Sequence, residues 1–155
     1  MYIFNQNILA LAARDNERYT RKLQAALDAL MTAHKMMNYW LDLQMRGDKG
    51  QDGAAEACAG EIMTTYIPTM MAPFTDDHKI GPDDEGIDLV YHKIWMTRAC
   101  MKAAAKGDWA SGNMRQGICE AKSAAMTLAD VYGFDMQATQ RALADRFKLP
   151  PMRKW

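Results

Sequence analysis

Leu23, Leu27, Leu30, His34, Met37 and Leu41 follow one another at alternating steps of four and three residues. That spacing keeps every member on one side of an α-helix, whereas a strand would send alternate residues to opposite faces. It is the seam of a bundle or coiled-coil helix, and it predicts one long helix from Asn16 to Arg46.

The rest of the chain reads in the same way. A shorter apolar piece, Ile3, Phe4, Ile8 and Leu11, precedes the long helix, and Asp15 and Asn16 are where the two either break or run on. "GDKGQDG" is a turn whose Asp52 caps a second helix, which carries Ala55, Cys58, Ile62 and Tyr66 inward and ends near Pro68. "PFTDDHKIGP" reads as a loop. A third helix, from about Asp83 to Lys106, buries Ile87, Val90, Tyr91, Ile94, Trp95 and Met101 and stops at Gly107. A fourth starts at Asp108 or Asn113 and presents Met114, Ile118, Ala121, Ala125, Leu128 and Tyr132 before Gly133. Asp135 caps a fifth, which ends at Leu149 because two prolines follow. No stretch sustains period-two alternation, and no repeat or long linker divides the chain. The prediction is a single all-α domain over residues 1–155, a bundle of about four to five helices with one long N-terminal helix and a short tail at 150–155.

Composition narrows the function classes. With 155 residues, 49% of them hydrophobic, the chain can bury one sizeable core. Nineteen basic residues balance nineteen acidic ones, so no net field draws it toward nucleic acid or an anionic membrane. Cys58, Cys100 and Cys119 form no CxxC pair and lie in Ala-rich helical sequence, where a thiol acts as a small buried apolar group. A reducing, cytoplasmic setting is the expectation. No targeting leader is expected in "MYIFNQNILALAARDNERY", and no apolar run approaches the length of a membrane span.

The most chemically charged stretch is "PDDEGIDLVYHKIW", which puts four carboxylates and a histidine into the eleven residues from Pro82. Asp83, Asp84 and Glu85 suit the first turn of a helix, where carboxylates accept free amides and meet the positive end of the dipole. Capping does not require Asp88 or His92. Glu85 and Asp88 lie about 60° apart around a helix, and Asp84, Asp88 and His92 follow at steps of four, so all can project from one face. Carboxylates on one helix, opposed by carboxylates on another, are how helical bundles hold Mg²⁺ for phosphate chemistry.

At these residues the chain resembles the all-α nucleoside triphosphate pyrophosphatases of the MazG-like and dimeric dUTPase-like type. Those enzymes carry ExxE on one helix and ExxD on a following one, and use Mg²⁺ to hydrolyse dNTPs to monophosphate and pyrophosphate. In one placement Glu85 and Asp88 of "EGID" are the ExxD, and the earlier pair falls in "EACAGE". There Glu56 and Glu61 lie about 140° apart around the helix and do not face one ion. In the other, Glu85 and Asp88 stand at ExxE, and "GICEAKSAAMTLADVYGFDMQATQRALADRFK" matches the ExxD helix, glycine turn and closing helix. ExxD then reads Gly117 to Glu120, one acid short. The likeness covers residues 82–149. It implies a Mg²⁺-dependent nucleotide pyrophosphohydrolase-like protein in which Glu85, Asp88 and Glu120 are catalytic and hold metal with Asp84 and His92 in support. Lys93, Lys122 or an arginine would meet the phosphates.

Two readings from other classes stand beside it. One is a non-enzymatic helical adaptor or inhibitor that docks a helix face on a protein partner and homo-oligomerises. Fourteen methionines, set beside aromatics in "KMMNYW", "YIPTMMAPF" and "IWMTRACM", suit adaptable interfaces, and the first helix is longer than a small monomer needs. The other is a helix-turn-helix DNA-binding protein, from Ala129, Gly133 and Phe134 followed by a helix bearing Gln137, Gln140 and Arg141. Asp145 on that helix and the zero net charge make nucleic acid the least favoured partner. Arg14, Arg18, Arg21 and Lys22 share a helix face and suit either solvent or phosphate.

Overall fold

The computed structural model of the protein describes residues 17–45, 53–75 and 85–144. The apolar piece at residues 3–11, Arg14, the Asp15 and Asn16 junction, the Asp52 cap and residues 76–84, with Asp83 and Asp84, lie outside them, as do Leu149, its prolines and the 150–155 tail. Within the described residues every element is helical. Helix α1 is Glu17–Met45, α2 is Ala54–Glu61, a π-helical turn spans Ile62–Tyr66, α3 is Ile67–Thr75, α4 is Glu85–Ala105, α5 is Ala110–Tyr132 and α6 is Met136–Ala144. The all-α class and the long N-terminal helix are as predicted.

Four lengths of helix form the bundle. Helix α1 lies between α5 and α3, whose backbones do not approach each other, while the α4 backbone runs close to α5, α2 and α3 but not to α1. Thus α1 and α4 face each other across a diagonal, bridged on one side by α5 and on the other by α2, the π turn and α3. Gly117 of α5 is where the diagonal closes. A Cβ there would come within 2.6 Å of Met101 Cε from α4 and 2.8 Å of Met37 Sδ from α1, so two flexible side chains meet over a residue that has none. Helix α6 packs on α5 and α1.

The seam of α1 is buried inside this chain except at its end, where Leu41 is half-buried. Leu23, Leu27, Leu30, His34 and Met37 face the core, and so do Ala29, Met36 and Trp40 on a second side. The length of this helix therefore serves two internal contacts. His34 is satisfied locally: the Asn38 amide donates to its ring, 3.0 Å from Nδ1, and to its carbonyl oxygen at 3.2 Å.

Helix ends follow residue chemistry closely. Gly107 (φ 83°) and Gly133 (φ 74°) take the left-handed conformation that a helix C-terminus favours. The amides of Asp108 and Gly107 then close on the carbonyls of Ala103 and Ala104, at 3.0 and 2.9 Å, and the amide of Phe134 closes on Ala129 at 2.8 Å. Asp135 caps α6 as expected, its Oδ1 accepting the Ala138 amide at 3.0 Å.

The second helix does not end at Pro68. It continues to Thr75 through the π turn, in which the Ile67 amide bonds to the Ile62 carbonyl five residues back. A π turn widens the helix just ahead of the proline, where an α-helical carbonyl would clash with the ring and lose its donor. The start of α5 also differs from expectation. Trp109, not Asp108 or Asn113, precedes it in a left-handed conformation (φ 41°), and the Asn113 side-chain amide turns back to donate to the Asp108 carbonyl at 2.7 Å.

Candidate functional site

Helices α4 and α5 run antiparallel through a short turn, so residues early in α4 meet residues late in α5. Lys93 of α4 meets Glu120 of α5 in this way, Nζ to Oε1 at 3.0 Å. Glu120 is buried, and its other oxygen accepts the Gln116 amide at 2.7 Å. Burial, and then the nearby Glu120 charge, push the Cys100 thiol upward in pKa. This is a charged pair set into the α4 and α5 contact, with a cation already neutralising the carboxylate.

The remaining residues of the expected metal set lie elsewhere. Asp88 and His92 are exposed, one turn apart, on the side of α4 that faces away from the core. Glu85 opens α4, and Asp84 lies outside the described residues. With Lys93 level with Glu120, Asp88 falls about 7.5 Å and Glu85 about 12 Å nearer the start of α4 along its axis, at the 1.5 Å rise of an α-helix. Among the described residues no group of three or more His, Cys, Asp or Glu side chains is placed to hold a metal ion. Asp88, His92 and Glu120 thus do not fit a single Mg²⁺ site in this arrangement.

Other expected groups scatter as well. Lys122 borders a cavity of about 210 Å³ with Met126, Gln140, Leu143 and Ala144, below the roughly 300 Å³ at which small-molecule pockets begin. Gln137, Gln140 and Arg141 are exposed on α6, while Thr139 is buried and donates its hydroxyl to the Asp135 carbonyl at 2.8 Å. The methionines serve mainly as core: Met36, Met37, Met70, Met101 and Met114 are fully buried. Cys58 and Cys100 are buried free thiols as expected, but Cys119 is exposed, since it lies off the buried face of α5.

What sequence reasoning missed is the outer side of α4. Val90, Ile94, Thr97, Cys100, Met101 and Ala104 face the core, whereas Asp88, Leu89, His92, Trp95, Ala99 and Lys102 are exposed. Trp95, expected inside, is 42% exposed, and so is Leu89. The indole is nevertheless held in place. Tyr91 meets it edge-on with ring centroids 6.4 Å apart, Phe74 of α3 lies 6.0 Å behind Tyr91, and the Arg98 guanidinium sits 5.0 Å over the Trp95 ring. The signal was available: Trp95 is five residues from Val90 and falls about 140° from it at 100° per residue, off the seam that Val90, Ile94 and Met101 define. Trp109 is a second exposed indole, at 80%, packed over Gly112, where a Cβ would come within 2.3 Å of the ring.

No helix among the described residues is long and apolar enough to cross a membrane. Comparisons of the chain with protein-family models, with curated proteins and with solved structures gave no match.

Proposed function

We propose that this chain is a non-enzymatic helical interaction protein that homo-oligomerises and works by docking a helix face. The observation that carries this reading is the outer side of α4, where a braced Trp95 is presented to solvent. Large apolar side chains held in one orientation are typical anchors of protein interfaces, because little rotamer freedom is left to lose on binding. Zero net charge removes the self-repulsion that keeps strongly charged proteins apart. Light scattering across a concentration series tests the proposal. The mass should rise above the 17.5 kDa of one chain as concentration increases, and a constant monomer up to several hundred micromolar would refute self-association.

A second reading, the Mg²⁺-dependent nucleotide pyrophosphohydrolase-like activity, is favoured by one observation: Asp88 and His92 share the open side of α4, in helical continuity with Glu85. It requires Glu120 to exchange Lys93 for an ion. Pyrophosphate release from a panel of dNTPs in the presence of Mg²⁺ would establish it.

A further inference from the structure

The outer stripe of α4 has an internal symmetry. Asp88, His92, Trp95, Ala99 and Lys102 are exposed at steps of four, three, four and three, which is one continuous face of the helix. Trp95 stands at its centre, with Asp88 seven residues before it and Lys102 seven after. Among the described residues neither Asp88 nor Lys102 has an ion-pair partner. The acid, the aromatic and the base are spaced evenly, seven residues on either side of Trp95, so these three positions match their own reverse.

We infer that the outer face of α4 is an isologous dimer interface, in which a second copy of this chain docks its own α4 antiparallel across a two-fold axis at Trp95. This rests on the self-association proposed above and names its surface and register. A two-fold axis pairs residues whose numbers sum to a constant. Placed at Trp95, it sets Asp88 of each copy across from Lys102 of the other, and His92 across from Arg98, whose guanidinium lies over the Trp95 ring. The two indoles meet at the axis. Both ion pairs form at once, and the antiparallel helices also oppose their dipoles head to tail. A parallel arrangement would instead set Asp88 on Asp88 and Lys102 on Lys102, so charge selects the direction of packing as well as the partner. One helix face of this length buries less than the roughly 1,200 Å² of standard interfaces, which predicts a dimer dissociating in the micromolar range.

Sedimentation equilibrium of the full chain at low salt tests this, with helix content checked for each variant by circular dichroism. All the substituted positions are exposed and lie off the core. Wild type should dimerise, and Trp95→Glu should be monomeric, because it sets two carboxylates at the axis. Lys102→Glu should weaken the dimer about three- to tenfold, since both symmetric contacts turn repulsive. The double variant Asp88→Lys with Lys102→Glu should restore the affinity of wild type, because the swap preserves each cross-axis pair. A double variant as weak as the single one, or a Trp95→Glu protein that still dimerises, would overturn this surface and leave self-association standing. A monomeric wild type would overturn both.

Discussion

Helices α1 and α4 occupy opposite corners of the same bundle, yet they bury themselves differently. Among the residues whose burial is described, those buried on α1 sweep about 200° of its circumference, from Met36 round to Asn38, while those on α4 cover about 120°, from Cys100 to Ile94, at 100° per residue. Helix α1 has α5 on one side and α3 on the other; among the described residues no element covers the side of α4 that carries Asp88, His92, Trp95, Ala99 and Lys102. The longer helix is therefore not the better candidate for an interface. Length reflects how many internal neighbours a helix serves, and the free face lies on the shorter one.

Truncating one side chain on each helix should separate the two most clearly. Leu30 is fully buried between the neighbours of α1. Leu30→Ala should cost about 2–5 kcal/mol in chemical denaturation, from lost transfer free energy and a residual cavity. Leu89→Ala, on the open side of α4, should stay within about 0.5 kcal/mol at chain concentrations where the protein is monomeric. Comparable losses at both positions would mean that the outer side of α4 is covered within a single chain.

The diagonal itself can be probed at Gly117. Alanine there removes the conformational cost of a helical glycine, worth about 0.5–1 kcal/mol, but its methyl presses on Met37 and Met101. Both obstacles are ends of methionine side chains that can swing aside, so the net loss should be about 1 kcal/mol, read as a shift in the urea midpoint. Gly117→Val, with more volume and the stiffness of a branched chain, should cost distinctly more. A neutral valine would show that the two methionines do not close over this residue.

Much of this architecture was readable before the fold was known. The α1 seam, the glycine stops at Gly107 and Gly133 and the Asp135 cap depend on side chains acting within a turn or two of their own position. Other features depend on residues distant in sequence. A seam declares that one side is buried, but whether its cover comes from α5 or from a second molecule is settled only by packing. Pro68 argued for a helix end because the π turn that accommodates it has no sequence signature of its own. The acidic set suffered most. Glu120 matched a motif position, and its partner Lys93 lies 27 residues earlier, so no local pattern announced that a cation would take the place of a metal.

A smaller, pH-dependent effect follows from α2, the element beside both helices. Burial, and to a lesser degree the Glu61 charge, push the Cys58 thiol far above its ordinary range. A raised folded-state pKa gives stability that is complete below the unfolded thiol pKa, about 8.5, and that declines as pH rises, because the unfolded chain releases a proton the folded one retains. Near pH 9.5 the loss from this group should be about 1 kcal/mol. Cys58→Ala should flatten the decline between pH 8 and 10 relative to wild type, whatever its effect at neutral pH. An unchanged alkaline slope would place the thiol in contact with solvent.

The smallest expected effect discriminates most sharply between the two functional readings. Were Asp88 a metal ligand beside Glu85, these carboxylates would repel one another in the absence of an ion, and Mg²⁺ would relieve that strain and bind the folded state alone. Saturating Mg²⁺ would then raise stability by roughly 1–3 kcal/mol, and Asp88→Ala would abolish the gain. The geometry argues otherwise: Asp88 faces outward on α4, and Glu120 is held by Lys93 and Gln116. The expected result is that Asp88→Ala changes the midpoint by no more than about 0.5 kcal/mol, the scale of an exposed carboxylate near a helix start, with or without Mg²⁺. Melts should be run at submicromolar chain, where the dimer contact to Lys102 contributes nothing. A Mg²⁺-dependent rise in wild type that disappears in Asp88→Ala would move the acidic stretch from a helix face to a metal site, and with it the function of the open side of α4.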